Sequence, residues 1–164
     1  MTVLVVLLSI VIFAPKDRLF FLAEEKLEYN EVLISEEVVD NGLFGVDISN
    51  AHLSIKGVTM ATIENIELST LLLFSSVRLE NVVLDDASKA MIPLSEFNLS
   101  LSHNLFAPKT LQLTLSYKEV EKEFQIEFLD EGMVRVEVED INGTPWLKPL
   151  MQKDENGWSY EQSI

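Results

Sequence analysis

Between Leu43 and Asp86 the chain places apolar side chains on every second residue, in short runs: Val46 and Ile48, Leu53 and Ile55, Val58 and Met60, Ile66 and Leu68, Val77 and Leu79, Val82 and Leu84. A period of two sends alternate side chains to opposite faces of an extended backbone, so these runs predict half-buried antiparallel strands. Gly, Ser, Asn and Asp bound each segment. The alternation changes parity near Asn50/Ala51 and again near Asn81. A β-bulge or bend is expected at both places, as a curved sheet requires.

The second half continues the pattern. Phe97, Leu99 and Leu101 alternate with Asn98, Ser100 and Ser102, and Leu111, Leu113, Leu115 and Tyr117 alternate with Gln112, Thr114 and Ser116. Phe124, Ile126 and Phe128 oppose Glu123, Gln125 and Glu127, and Val134, Val136 and Val138 oppose Arg135, Glu137 and Glu139. Consecutive strands with one apolar and one polar face describe a meander over a core. Before the first run, Val32 to Ser35 reads as a short strand followed by an acidic turn. Asp85 to Pro93 breaks the β pattern and predicts one helical turn capped by aspartate. The tail predicts a short helix around Trp146 to Met151 and a last strand with Trp158 and Tyr160.

The N-terminus differs in kind. Val3, Leu4, Val5, Val6, Leu7, Leu8, Ile10, Val11, Ile12 and Phe13 form an apolar run broken only by Ser9. Twelve helical residues reach about 18 Å, against a hydrocarbon thickness of roughly 30 Å, so spanning needs help. Lys16 and Arg18 lengthen the reach by snorkelling, with Phe20 and Phe21 at headgroup depth. Three readings compete: an uncleaved anchor, a cleaved signal peptide and a core element of the body. The n-region lacks Lys and Arg, and Ala14 is preceded two positions back by Ile12 and followed by Pro15, which favours the uncleaved anchor. From Pro15 onward Leu19, Leu22, Ala23 and Leu27 recur at helical spacing, an amphipathic helix. The organisation expected is therefore an anchor over 1–14, an amphipathic helix over 15–30, and a single β-rich domain over 31–164. The fold class is mainly β, a curved antiparallel sheet or sandwich.

Composition excludes several functions. With 27 acidic against 12 basic residues the net charge is −15, and no basic cluster is present to meet a phosphate backbone, so nucleic acid is not a partner. The chain has no cysteine, which removes disulfides, thiolate chemistry and cysteine zinc sites. His52 and His103 belong to no metal-binding spacing and read as structural. No nucleophile elbow, phosphate loop or dinucleotide fingerprint occurs. Asp85/Asp86 and Glu36/Glu37 lie in polar turns without calcium-loop spacing. No catalytic residue, cofactor or metal is therefore assigned, and an enzyme is not expected. Asn98 and Asn142, each with an acidic residue two positions before and a hydroxyl residue two after, resemble the extended acceptor sequon of some bacterial oligosaccharyltransferases.

The order of features, and the phrasing FGVDISNAHLSIKGVTMATIENIELSTLLLFSSVRLENVVLDD, is similar to type II secretion system protein N and the related AsmA-type periplasmic repeats. That resemblance covers roughly residues 1 to 86. It implies a single-pass protein of the bacterial inner membrane whose periplasmic part is a curved sheet, serving envelope transport or secretion by contact. Lys16 and Arg18, taken alone, place the body in the cytoplasm, but large domains translocate largely regardless of loop charge. Two functions follow: a membrane-anchored structural or assembly component that binds a protein partner, or a lipid-binding module with an apolar groove. Inward positions are mostly Leu, Ile, Val and Phe, which would fill a closed sandwich and put protein binding first.

Overall fold

A computed structural model describes residue 25 and residues 31–163, except 36, 37, 43, 44, 72, 91, 154 and 156. The expected anchor and most of the amphipathic helix lie outside the described residues. Among the described residues no helix is long and apolar enough to cross a membrane.

The body is mainly β. Its strands are β1 (Val32–Ser35), β2 (Val38–Asn41), β3 (Gly45–Ile55), β4 (Val58–Leu71), β5 (Phe74–Leu84), β6 (Glu96–Asn104), β7 (Thr110–Tyr117), β8 (Val120–Phe128), β9 (Met133–Val138), β10 (Gln152–Lys153) and β11 (Trp158–Ser163). All belong to one antiparallel sheet, ordered β1-β3-β4-β5-β6-β7-β8-β9-β11-β10, with β2 also on β3. Of the two arrangements expected, the strand pairing gives one continuous antiparallel sheet. Alternation fixes which face of a strand is apolar but not whether a second sheet covers it.

The meander aligns its apolar residues in rows across the sheet. Val46, Leu68, Val77, Leu101, Leu113 and Phe124 are successive cross-strand partners. One step along, Ile48, Ile66, Leu79, Leu99 and Leu115 form a second row. Ala51, Ile63, Val82 and Phe97 form a third. Such direct neighbours are the unit of sheet stabilisation, and the rows carry much of the buried core, including Ile48 at 0% exposure.

The changes of parity line up. On β3 the core-facing positions step from Ile48 to Ala51, on β4 from Ile63 to Ile66, and on β5 from Leu79 to Val82. Each strand accommodates an extra residue at the same level, so β3, β4 and β5 stay in register through it: Ser49 faces Asn65 and Ala51 faces Ile63, while Asn65 faces Glu80 and Ile63 faces Val82. Asn50 (φ 58) and Asn81 (φ 51) are left-handed, a conformation asparagine tolerates better than most residues. β6 has no matching insertion, so the register slips between Leu79↔Leu99 and Val82↔Phe97. The bulge expected at Asn81 is therefore realised against β6. Asn50 adopts its left-handed conformation without shifting the β3–β4 register, and a separate irregularity occurs at Leu53/Ser54.

Three local expectations are resolved. Helix α1 (Asp86–Lys89) is one turn, with Asp85 at its N-cap accepting the Asp86 amide at 2.6 Å. Ser88 Oγ donates to the Met60 carbonyl at 2.8 Å, fastening α1 to β4. Part of the acidic turn expected before Gly42 is instead strand β2: its Val-Val-Asp-Asn is too short to show a period, and β3 supplies the edge it pairs with. The helix expected around Trp146 to Met151 is only a 3-10 turn, Pro145–Leu147, while the last strand forms around Trp158 and Tyr160 as expected.

Candidate functional site: the polar face and its borders

The face opposite the apolar rows has its own cross-strand order. Ser69, Ser76, Ser102, Gln112, Gln125, Glu137 and Ser159 are successive partners from β4 to β11. Small hydroxyl residues occupy the β4–β6 end and longer amides and a carboxylate the β7–β9 end. Two shallow hollows, of about 340 and 380 Å3, meet at Gln112 along this row.

The first hollow is acidic. Glu123, Glu137 and Glu139 line it together with Gln125 and Trp158. Arg135 stands 3.7 Å from Glu137 and is also held by Glu161, at 2.7 Å from its Nε. That partnership, the Glu161 hydrogen bond first, raises the Arg135 pKa. The second hollow is lined by Ser69, Ser76, Ser102 and Asn104, with Leu71 and Phe74 at its rim.

At the two borders of the sheet the last long strand is covered to different extents. β1 and β2 lie end to end along β3, covering it from Val46 to Ile55 except around Asn50 and Ala51. β10 covers β11 only at Trp158 and Ser159, so Tyr160 to Ser163 pair with β9 alone among the described strands. A hollow of about 270 Å3 lined by Leu150, Gln152, Tyr160 and Glu161 lies beside that stretch.

The residues singled out in the sequence are dispersed. Asn98 lies in β6, exposed, and its Oδ1 accepts the Asn81 amide at 2.7 Å. Asn142 lies in an exposed turn, its amide donating to Asp140 Oδ1 at 3.0 Å. That hydrogen bond, with Lys122 at 3.0 Å, holds the Asp140 carboxyl below its ordinary pKa. The hydroxyl of Thr144, two residues beyond Asn142, is buried and donates to the Ile141 carbonyl at 3.2 Å. His103 Nε2 approaches the Pro108 carbonyl at 3.4 Å, and His52 sits in β3 between Ser35 and Thr62. Asp85 is spent on capping α1. Among the described residues no three His, Asp or Glu side chains are grouped to hold a metal ion.

A feature that alternation conceals stands at one end of the sheet. Leu71, Leu73 and Phe74 at the β4–β5 turn, and Leu105 and Phe106 at the β6–β7 turn, are all exposed, Phe106 at 77%. The two turns touch: the Leu105 amide donates to the Leu73 carbonyl at 3.0 Å. Leu71 and Phe74 fall at strand ends and read as continuations of the strands. The signal that finds this end is charge, because neither 69–77 nor 97–117 contains an aspartate or glutamate.

No family model matches the chain, and no curated protein or solved structure matches it.

Proposed function

We propose that the chain is a membrane-anchored structural or assembly component of the bacterial envelope, its body periplasmic, and that it acts by binding another protein rather than by catalysis. The observation that carries this reading is the acidic hollow of Glu123, Glu137 and Glu139, which reaches β11 at Gly157 and Trp158, just before its part-open stretch Tyr160–Ser163. An extended segment with basic side chains fits both: its backbone adds to Tyr160–Ser163 and its cations meet the carboxylates. The resemblance to secretion protein N and AsmA-type repeats points the same way.

The test is photo-crosslinking in native membranes from a reactive residue placed at Gln162, with Lys56 as the control position. The reading expects one protein captured at Gln162, not at Lys56, and lost when Glu123 and Glu137 are replaced by lysine. Capture insensitive to those replacements, or none, removes it. Phosphatase and fluorescent-protein fusions at the C-terminus test the topology; fluorescence without phosphatase activity ends the periplasmic assignment. Mass spectrometry of the native protein, searched for glycans on Asn98 and Asn142, tests the modification suggested by the sequons.

One observation favours a second reading, the lipid-binding module. With a single sheet in place of a sandwich, Leu101, Leu111, Leu113 and Ile126 are only half-buried on the apolar face. The argument that large inward residues fill the interior between two sheets loses its premise. Phospholipid co-purifying in fixed stoichiometry, and released by Leu113→Glu, would put this reading first.

A further inference from the structure

We infer that the paired β4–β5 and β6–β7 turns are a second membrane contact, independent of residues 1–14, that lays this end of the sheet into a phospholipid surface. The inference does not rest on the protein-binding role. Leu71, Leu73, Phe74, Leu105 and Phe106 project at adjoining tips, and contiguous exposed apolar groups of this size mark an interaction surface. They are held rigidly. Besides the Leu105–Leu73 hydrogen bond, the Asn104 side chain accepts the Phe106 amide at 2.9 Å, fixing the turn that presents Phe106.

Charge selects a bilayer as the occupant. The chain carries 27 acidic residues, and an anionic lipid surface repels them within a Debye length. The stretches 69–77 and 97–117 contain none, and their only basic side chains are Lys109 and His103. Lys109 pairs with Asp130 at 2.8 Å at the border of the patch, where Glu127 also lies close, so acid begins at the neighbouring β8–β9 turn and not on the tips themselves. A protein partner for a chain of charge −15 would be expected to bring cations, and these tips offer them no carboxylate. The serine-lined hollow beneath Leu71 and Phe74 provides hydroxyls at the depth where hydrated headgroups would lie, once the apolar tips are immersed.

The test uses the full chain, whose lack of cysteine allows unique labels. Phe106→Cys and Lys56→Cys, the latter at the opposite end of the sheet, are labelled with an environment-sensitive dye and mixed with protein-free phosphatidylethanolamine/phosphatidylglycerol vesicles carrying nitroxide lipids. The proposal expects quenching at 106 at least about twofold greater than at 56, abolished by adding Phe74→Ser and Leu105→Ser. Quenching at 106 no greater than at 56, the outcome expected if the N-terminal segment, which enters the body beside Lys56, is the sole contact, overturns it. So does a response at 106 in native membranes that is absent from protein-free vesicles, because the tips then meet a protein.

Discussion

The carboxamide oxygen of Asn98 accepts the backbone N–H of Asn81 at 2.7 Å. Asn81 is left-handed and lies at the point where β5 and β6 slip by one residue, so it has no register partner on β6. A side chain from the neighbouring strand takes the place of a ladder carbonyl. Asn98→Ala removes that acceptor and is expected to cost about 1 kcal/mol in urea denaturation, whereas Asn98→Asp, which keeps an acceptor oxygen, stays within about 0.5 kcal/mol. Equal losses in the two variants would show that the hydrogen bond contributes nothing.

Ile48 has 0% exposure and stands in the row with Ile66, Leu79, Leu99 and Leu115. Ile48→Ala is expected to destabilise by about 2–5 kcal/mol, from lost transfer energy and the cavity left behind. The half-buried Leu101 should lose clearly less on the same truncation. A pair of denaturation curves settles the order, and a larger loss at Leu101 would place the core at the β6–β7 end instead.

Asp140, hydrogen-bonded by the Asn142 amide and paired with Lys122, and Asp130, hydrogen-bonded and paired with Lys109, both have pKa values lowered in the folded chain. A lowered folded value means stability that is fully present above the ordinary carboxylate pKa and is lost as pH falls through the folded one. The thermal midpoint should therefore decline below about pH 4. Asp140→Asn keeps an oxygen for the Asn142 amide but removes the charge facing Lys122, so its decline should be shallower. Superimposable pH profiles would show that Asp140 has no part in it.

Gly157 enters β11 at φ +144, and a Cβ there would stand 2.5 Å from the Val138 carbonyl oxygen. Both the backbone angle and the close approach to β9 require glycine. Gly157→Ala should cost at least about 1–3 kcal/mol and loosen the β9–β11 pairing first, seen as faster amide exchange at Ser159 to Gln162. Protection unchanged there would mean that the strand entry relaxes without strain.

The strands from β3 to β9 were legible because the period of two survives in each, and even the break at Asn81 showed as Leu79 passing to Val82. The row of insertions at Asn50, Glu64 and Asn81 was only partly legible: Glu64 has no unusual backbone and marks its place solely by the step from Ile63 to Ile66. β2 was hidden by its length. Periodicity could not distinguish one sheet from two, because Leu113 alternates with Thr114 identically in either. The apolar tips at Leu73 and Phe106 were overlooked for a similar reason, since a pattern of apolar residues says nothing about what lies beyond the end of a strand.

Because β3 through β8 each bond to the strands immediately before and after them in the chain, most pairings close only a short loop. Such an arrangement can be laid down one hairpin at a time as the polypeptide emerges, each new strand finding its template already in place. Two strands skip a neighbour: β1 pairs with β3 past β2, and β11 must reach back past β10 to β9, which makes β11 the natural last piece to dock.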